Sequence, residues 1–380
     1  MHILISPNAF KNSIDATAAA KAIEEGLQQS SLECTTHCFP VGDGGDGTGH
    51  LLTTISRGIF IEESVQDPLG RKIHAGYGLI DNGQTAVIEM AAASGLRLLN
   101  KEELDPLHAS SFGTGELIKK ALDKGVKKIF LCVGGSATVD AGCGIMEAMG
   151  ILFLNANGDP LNGMPENLIH LAAIDLSALD KRIFGIDLII LADVSNPLLG
   201  EKGAAKIFGP QKGASNNDVE KLEASLMRFN QVVLENLGID MSSIKYGGAA
   251  GGTAAGLAAL LKAKLTNGID QFLVLTHYDE ALQTADLIIT GEGSIDLQTL
   301  EGKAPFGVAL RAKQKHIPVI GFAGKLPATP CPELDNYFSR LININGKETD
   351  MAAAILAAKD NLIRSACELG NGLADGSIVN

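Results

Sequence analysis

Small, hydroxyl-bearing and charged residues follow most of the apolar, strand-like runs of this sequence. In chain order these loops read PNAFK, GDGGDGTG, GGSATVDAG, DVSNPLLG and GEGSIDLQTLEGK. Glycines let backbone N–H groups approach a phosphate, hydroxyls complete its shell, and a lysine neutralises its charge. Carboxylates can join such a site when Mg²⁺ lies between them and the phosphate. The combination predicts metal-dependent phosphoryl transfer and not hydride transfer.

The loop GDGGDGTG also has the glycine spacing of a dinucleotide-binding turn, at Gly42, Gly44 and Gly47. Asp43 and Asp46 lie between these glycines and would repel a pyrophosphate that arrives without a metal ion. The fingerprint normally opens the first βα unit, whereas here it opens the second. An NAD-dependent oxidoreductase of a small hydroxy acid therefore stays as an alternative, and a non-catalytic small-molecule-binding protein is the third hypothesis.

Two other phosphate-binding signatures are excluded. Gly302-Lys303 is followed by Ala304 and has Leu297 where the first glycine of a P-loop should stand. The H-R-D and D-F-G motifs of protein kinases are also missing.

The elements that must position these loops alternate between strand and helix, which predicts an α/β protein with parallel sheets. Strand-like runs include 2–6, 34–41, 187–195 and 285–294, and helical runs include 15–29, 216–237, 253–264 and 303–315. Because ligands bind outside the carboxyl ends of parallel strands, the loops that follow these strands are the expected site.

One segment breaks the alternation. Residues 59–66, 72–80 and 84–90 predict three antiparallel strands, the last two joined by the turn signal Asp81-Asn82-Gly83. We take this meander as the candidate domain boundary. The Gly/Ala run at 247–256 is either a linker or a tight ligand-binding turn that leads into a helix.

Length, composition and net charge limit the classes of protein to which this chain can belong. A chain of 380 residues, 46% hydrophobic and with 44 glycines, predicts two packed domains. The net charge of -13 argues against a nucleic-acid partner, although local lysines or a metal ion can still attract an anionic substrate. Without a signal peptide or a long apolar run we expect no membrane partner and a cytoplasmic protein, and the six scattered cysteines predict reduced thiols.

Taken together, the loops resemble the signature blocks of the type I glycerate kinase family, in the family's order from residue 7 to about residue 310. The blocks are PNAFKNSIDA, PVGDGGDGT, IEMAAASGL, SSFGTGELI, GGSATVDAG, ADVSNPLLG, IFGPQKGAS, GGAAGGTAAGLAALL and TGEGSIDLQTLEGKAPFGVA. The resemblance implies transfer of the γ-phosphoryl group of ATP, with Mg²⁺, to a hydroxyl of D-glycerate. The product in this family is usually 2-phosphoglycerate, and some members are assigned the 3-phosphate.

The resemblance also implies a fold of two α/β domains. A Rossmann/flavodoxin-like three-layer domain would comprise residues 1–70 and 286–380, and a second mixed α/β domain, 71–285, would be inserted in it. The active site would lie in the cleft between them. The oligomeric state stays open, with a homodimer as one option.

The resemblance carries functional positions over to this sequence. The matching residues are Lys11, Asp43, Thr48, Ser136, Thr138, Asp193, Asn196, Lys212, Glu292, Asp296, Gln298 and Lys303. The departures are Asn8-Ala9 for Asp-Ser, Gly42 and Asp46 for Ala and Glu, and Val139 and Ala141 for Asn and Gly. The first departure removes a carboxylate and a hydroxyl beside Lys11, so altered metal binding or a close analogue of glycerate as substrate stays open.

Roles follow from these positions. Asp193, at the end of an apolar strand, is the expected base for the glycerate hydroxyl, with Asp296 as the rival; an Asx-turn or helix cap is the structural alternative for Asp193. Asp43 is the expected Mg²⁺ ligand, directly or through water.

Cationic side chains are expected to bind the substrates' negative groups. Lys11 and Lys303 would balance the transferring phosphoryl group, and either Arg71 or Lys212 would hold the glycerate carboxylate. The other residues expected to bind substrate or nucleotide are Gly44, Gly45, Thr48, Ser136, Thr138, Asn196, Gly291, Glu292 and Gln298.

Overall fold

The computed structural model describes residues 1–346 and 350–378, with the side chain of Met351 left out. These residues form two compact units. The segmented unit comprises residues 1–43 and the described residues from Ile269 onward, and the inserted unit comprises Gly44–Gly268. The sequence prediction placed the boundaries at 70/71 and 285/286. In the structure the two units divide earlier in the chain at both places, at 43/44 and 268/269.

Strands and helices alternate along most of the described chain. The strands are β1 (His2–Pro7), β2 (Thr35–Cys38), β3 (Ile59–Gln66), β4 (Lys72–Ile80), β5 (Thr85–Glu89), β6 (Lys128–Cys132), β7 (Leu152–Leu154), β8 (Pro160–Leu161), β9 (Ala173–Asp175), β10 (Asp187–Ala192), β11 (Lys264–Asn267), β12 (Leu287–Ser294), β13 (Val319–Lys325) and β14 (Arg340–Asn343). The α-helices are α1 (Ala16–Gln28), α2 (Thr48–Ile55), α3 (Met90–Ser94), α4 (Phe112–Asp123), α5 (Cys143–Ala148), α6 (Ala204–Phe208), α7 (Asn216–Leu237), α8 (Thr253–Leu261), α9 (Gly268–Leu275), α10 (Tyr278–Ala281), α11 (Ala304–Gln314), α12 (Pro332–Asp335), α13 (Met351–Leu356) and α14 (Ala358–Ala374).

The segmented unit is built on a five-stranded parallel sheet. Its strand order is β2-β1-β12-β13-β14, with Ile3 opposite Leu287 where β1 pairs with β12. Counted within the unit, this is the order 2-1-3-4-5 of flavodoxin-like folds. The predicted fold class is confirmed. In such sheets ligands bind outside the carboxyl ends of the two strands where the order reverses, which are here β1 and β12.

Helices cover both faces of this sheet. Ile3 and Ile5 pack with α1 and α14 in one apolar cluster. Leu4, which strand alternation turns to the other face, is also fully buried, and α11 contacts β1 and β12. Asp15 begins α1 by accepting a 2.8 Å hydrogen bond from the Ala18 backbone N–H. The result is the predicted three-layer arrangement.

The inserted unit contains a six-stranded mixed sheet in the order β11-β10-β6-β5-β4-β3. The three strands of the meander are confirmed, since β3 with β4 and β4 with β5 are antiparallel. However, β5 also pairs in parallel with β6, so the meander continues the same sheet. A division at 70/71 would cut the backbone hydrogen bonds between β3 and β4, and the structure keeps the whole meander in one unit. A small antiparallel sheet, β8-β7-β9, completes the unit.

The Gly/Ala run at 247–256 is a tight turn and not a linker. Gly251 and Gly252 have φ of 65° and 90°, and the helix α8 begins directly after them. A methyl group on Gly251 would lie 2.2 Å from the Thr138 carbonyl oxygen. Glycine therefore lets this turn pack against the loop that follows β6.

Two expectations from composition can be compared with the structure. All six cysteines are free thiols. Within residues 1–346 and 350–378, none of the helices is both long enough and apolar enough to span a bilayer.

Candidate active site

The inserted unit holds a buried lysine among the loops at the carboxyl ends of its parallel strands. Lys212 is only 3% exposed, and its Nζ donates hydrogen bonds to Ser136 Oγ (2.9 Å) and to the Thr138 carbonyl oxygen (2.6 Å). Ser136 and Thr138 belong to the loop after β6. We call Ser136, Thr138, Asp193 and Lys212 the lysine–serine group.

The charge of Lys212 is costly in this environment. Burial lowers the pKa of the Lys212 ammonium to about 7, and the nearby carboxylates of Asp140 and Asp193 oppose that shift. Thr138 Oγ1 is also buried, and it has no hydrogen-bond partner among the described residues. A lysine ammonium has three N–H donors, and the two bonds above go to neutral oxygens. The group is therefore suited to bind an anion such as a carboxylate.

Asp193 lies beside this group. It follows the buried end of β10, and a methyl group on Gly134 would come 3.2 Å from its Oδ2 and 2.5 Å from the Cα of Gly45. The Gly134 N–H donates to the Gly44 carbonyl oxygen (3.0 Å). The glycines thus allow the loop after β6, the glycine-rich loop and the Asp193 carboxylate to lie side by side.

Asp140 is a buried carboxylate that the sequence reasoning did not single out. It accepts hydrogen bonds from the backbone N–H groups of Ser111, Gly142 and Gly144 and from Ser111 Oγ, at 2.6–3.2 Å. These bonds hold the loop after β6 in place, two residues from Thr138. The signal was present in GGSATVDAG, where Asp140 is the single ionisable side chain.

The helix that follows the glycine-rich loop already has a carboxylate at its N-terminus. Gly44 has φ of 91°, and its N–H lies 3.1 Å from Thr48 Oγ1, while Gly47 precedes α2. The N-terminal turn of α2 is already bound by a carboxylate, since Glu89 accepts from the N–H groups of Gly49 (2.6 Å) and His50 (3.2 Å). In a dinucleotide-binding turn the pyrophosphate would bind there.

The two aspartates of this loop differ in their partners. Asp46 forms a 2.5 Å ion pair with Arg97 in the inserted unit. Asp43 is the last residue of the first segment of the segmented unit, and its Oδ2 accepts a 2.9 Å hydrogen bond from Asn8 Nδ2. Asn8, one of the departures from the family pattern, thus places a neutral amide against the carboxylate of Asp43.

The segmented unit holds a second set of charged residues at the carboxyl ends of β1 and β12. Glu292 is 8% exposed, and its Oε1 accepts a 3.1 Å hydrogen bond from Thr299 Oγ1. Burial raises the pKa of Glu292 to about 7; Asp43 adds to the shift, and Lys303 and Lys11 oppose it. We call Lys11, Asp43, Glu292 and Lys303 the carboxylate–lysine group.

The donors of the carboxylate–lysine group fit a hard divalent cation. Asp43 and Glu292 are both buried carboxylates, and their mutual repulsion is part of the cause of the raised pKa of Glu292. No group of three or more histidine, cysteine or acidic residues in the described chain could cage a metal by itself. Mg²⁺ commonly takes one or two carboxylates together with substrate phosphates, so two carboxylates meet its need.

Three of the predicted site residues have contacts within the protein that give them a structural role. Asp296 caps the turn Leu297–Glu301, accepting a 2.9 Å hydrogen bond from the Gln298 N–H. A methyl group on Gly291 would lie 2.4 Å from the Phe322 carbonyl oxygen, so glycine here allows β12 and β13 to pack. Asn196 Nδ2 donates to the Lys202 carbonyl oxygen (2.8 Å).

Arg71 belongs to a different cluster from Lys212. Its Nε and NH1 form 2.6 Å ion pairs with Asp67 and Glu103, and its side chain is about half exposed. Its positive charge is already matched by two carboxylates. Of the two candidates for holding the glycerate carboxylate, Lys212 therefore has the environment that an anion would favour.

A flavodoxin-like sheet with carboxylates and lysines at its switch point, together with a buried lysine in the second unit, defines a two-unit α/β phosphotransferase. Comparison with known proteins is more specific. Residues 3–373 match the glycerate kinase family, and the chain belongs to that family. Glycerate kinase of Halalkalibacterium halodurans is 45% identical over 324 residues, covering 85% of each chain.

Two further relatives cover nearly the whole chain. Glycerate 2-kinase of Escherichia coli K12 is 40% identical over 380 residues, with 99% of each chain covered. A crystal structure from Salmonella typhimurium, of a protein assigned as glycerate kinase 2, has a TM-score of 0.79 and 38% identity over 99% of each chain. The family predicted from the loop motifs is confirmed, and with it the class of phosphotransferase.

Proposed function

We propose that this protein transfers the γ-phosphoryl group of ATP to a hydroxyl of D-glycerate and releases 2-phosphoglycerate. The observation that carries this proposal is Lys212, a buried ammonium beside the carboxylate Asp193 and the buried hydroxyl of Thr138. A small hydroxy acid offers what these three groups need, namely an anion and a hydroxyl next to each other. Membership of the glycerate kinase family supports the same substrate.

The carboxylate of glycerate is bound by Lys212. The ammonium already contacts Ser136 and Thr138, and an incoming carboxylate would supply the opposite charge that these neutral oxygens lack. Binding an anion also offsets the desolvation that lowers the Lys212 pKa, so the amine stays protonated in the complex.

Asp193 accepts the proton of the attacking hydroxyl or orients that hydroxyl. Phosphoryl transfer requires alignment of the nucleophile more than strong base catalysis. The Asp193 carboxylate acts on the charge of Lys212, and we infer that it faces the hydroxyl on the carbon next to the bound carboxylate of glycerate. This favours the 2-phosphate. Asp296 is the weaker candidate, since its carboxylate caps a turn.

Lys11 and Lys303 neutralise the phosphates of ATP, and Asp43 and Glu292 would hold Mg²⁺ there. Bound there, Mg²⁺ would offset the negative charge of the phosphates. Asp43 and Glu292 would hold it from buried positions where water competes little. Lys303 immediately precedes α11, so the positive end of that helix also faces the phosphates.

The proposal is tested by a coupled assay for ADP release with ATP, Mg²⁺ and D-glycerate, run beside NADH absorbance with the same acid. We expect ADP release that depends on glycerate and at least tenfold over the background without it. Phosphorus NMR of the product then distinguishes 2- from 3-phosphoglycerate. Absence of glycerate-dependent ADP release would overturn the proposed activity, and a 3-phosphate product would overturn the proposed orientation of glycerate.

Asp43→Asn should raise the Mg²⁺ concentration for half-maximal activity about tenfold or more, because one charged ligand becomes neutral. Asn8 can still bond to residue 43, so the loop should keep its conformation. Electron paramagnetic resonance of Mn²⁺ titrated in the presence of ADP measures the metal affinity directly.

The matched control for the metal prediction is Asp286→Asn. Asp286 lies just before β12, at the amino-terminal end of the strand and away from its carboxyl end, and is exposed. It should leave Mn²⁺ affinity unchanged. Equal Mn²⁺ affinity in the wild type and Asp43→Asn would remove Asp43 from the metal site.

A further inference from the structure

A cavity of about 450 Å³ opens within the segmented unit beside the carboxylate–lysine group. Asp296, Leu297 and Gln298, which follow β12, line it on one side. Pro327, Pro330 and Glu333, which follow β13, line it on the other. The cavity therefore lies outside the carboxyl ends of β12 and β13, next to the β1–β12 switch point where ligands of such sheets bind. Its volume is in the range of small-molecule sites.

The lining favours a flat, neutral group and not a phosphate. Leu297, Pro327 and Pro330 offer apolar surface, and Leu297 is 56% exposed although it is a large apolar side chain. None of the described lining residues is a lysine or arginine, whereas Asp296 and Glu333 are acidic. Carboxylates accept hydrogen bonds from amino and hydroxyl groups, as an acidic residue does for the ribose of bound dinucleotides.

The same turn of chain connects this cavity to the groups proposed to bind phosphate. The Asp296 N–H donates to Thr299 Oγ1 (3.1 Å), and Thr299 Oγ1 donates to Glu292 (3.1 Å). The Lys303 N–H donates to the Thr299 carbonyl oxygen (3.2 Å). A ligand with an apolar ring at one end and phosphates at the other could thus use both sides of the turn Leu297–Glu301.

We propose that this cavity binds the nucleoside of the phosphoryl donor, with its base against Leu297, Pro327 and Pro330. Its amino and hydroxyl groups bond to Asp296, Gln298 and Glu333, and its phosphates extend along the turn towards Lys303 and Lys11. This inference rests on the proposed function, since it places the nucleoside of the same nucleotide.

The test is Leu297→Asp, which replaces apolar surface with a charge at an exposed position that contributes little to the core. Calorimetric titration with ADP in the presence of Mg²⁺ should give an affinity at least thirtyfold weaker than in the wild type. Titration with inorganic tripolyphosphate, which has no nucleoside, should give the same affinity in both proteins. In steady-state kinetics the KM for ATP should rise while the KM for glycerate stays constant.

Leu234→Asp is the matched control, because Leu234 lies on α7 of the inserted unit and is 46% exposed. It should change neither affinity. Equal loss of ADP and tripolyphosphate binding in Leu297→Asp, or no loss of ADP binding, would overturn the nucleoside assignment. Either result would leave the kinase activity of the wild type in place, whereas a wild type without glycerate-dependent ADP release would overturn the proposed function itself.

Discussion

Asp193→Asn should lower kcat by about 10²–10⁴-fold, the range that a positioned general base contributes. Asparagine keeps the shape of the side chain and cannot take the proton of the attacking hydroxyl. Binding of glycerate should change much less, because the proposed contact of Lys212 with its carboxylate is kept. Single-turnover measurements with saturating ATP and glycerate would separate the loss in chemistry from any loss in binding.

The same strand supplies the control for this prediction. Asp187, at the other end of β10, is paired with Lys264 at 2.5 Å on the surface. Asp187→Asn should retain wild-type kcat, because a surface ion pair contributes little to stability. If Asp193→Asn turned over at a rate near that of Asp187→Asn, Asp193 would not be the base, and Asp296→Asn would become the next variant to measure.

Lys212→Met should raise the KM for glycerate about 100-fold, corresponding to about 2.7 kcal/mol, while the KM for ATP stays near the wild-type value. Methionine has nearly the volume of the lysine stem and carries no charge to desolvate, but it leaves the Thr138 carbonyl oxygen without its donor. We therefore expect a loss of about 1–3 kcal/mol in the free energy of unfolding. Lys221→Met, at an exposed position of α7, is the control and should change neither KM.

The pH dependence of the wild type adds a second readout for Lys212. The pKa of its ammonium is lowered to about 7 by burial, against the attraction of Asp140 and Asp193. Below this pH the amine is protonated and can bind an anion; above it the free enzyme loses the charge. We expect kcat/KM for glycerate to fall as the pH rises above about 7, and this decline to disappear in Lys212→Met. An unchanged decline in the variant would assign it to another group.

The sequence alone predicted the fold class and most helices and strands, because the spacing of apolar residues and the position of glycine-rich loops can be read from short stretches of the chain. The antiparallel meander is an example, since alternation and the Asp81-Asn82-Gly83 turn defined its strands. The domain boundary could not be predicted in the same way. Whether β5 ends a domain or joins β6 depends on pairing across the sheet, which periodicity does not encode.

The candidate site shows the same limit. Position after a strand selected Asp193, and the resemblance to the family's motifs added Lys212 and Asp43, but neither could rank Lys212 against Arg71. Arg71 differs from Lys212 in its partners, since it pairs with Asp67, four residues before it, and with Glu103, 32 residues after it. The glycine spacing at Gly42–Gly47 was misleading. Glu89, at the end of β5, accepts a hydrogen bond from the first turn of α2, where a pyrophosphate would have to bind.

The pairing of β1 with β12 sets the order in which the protein can assemble. Ser6 and Thr290 are joined by a hydrogen bond across 284 residues, and the whole inserted unit lies between them. During synthesis the first strand leaves the ribosome long before its central neighbour exists, while Gly44–Gly268 carries all strands of its own sheets. Until β12 has been synthesised, the side of the apolar strand β1 that pairs with β12 therefore stays unpaired. Slow refolding and chaperone dependence are the expected consequences of so distant a contact.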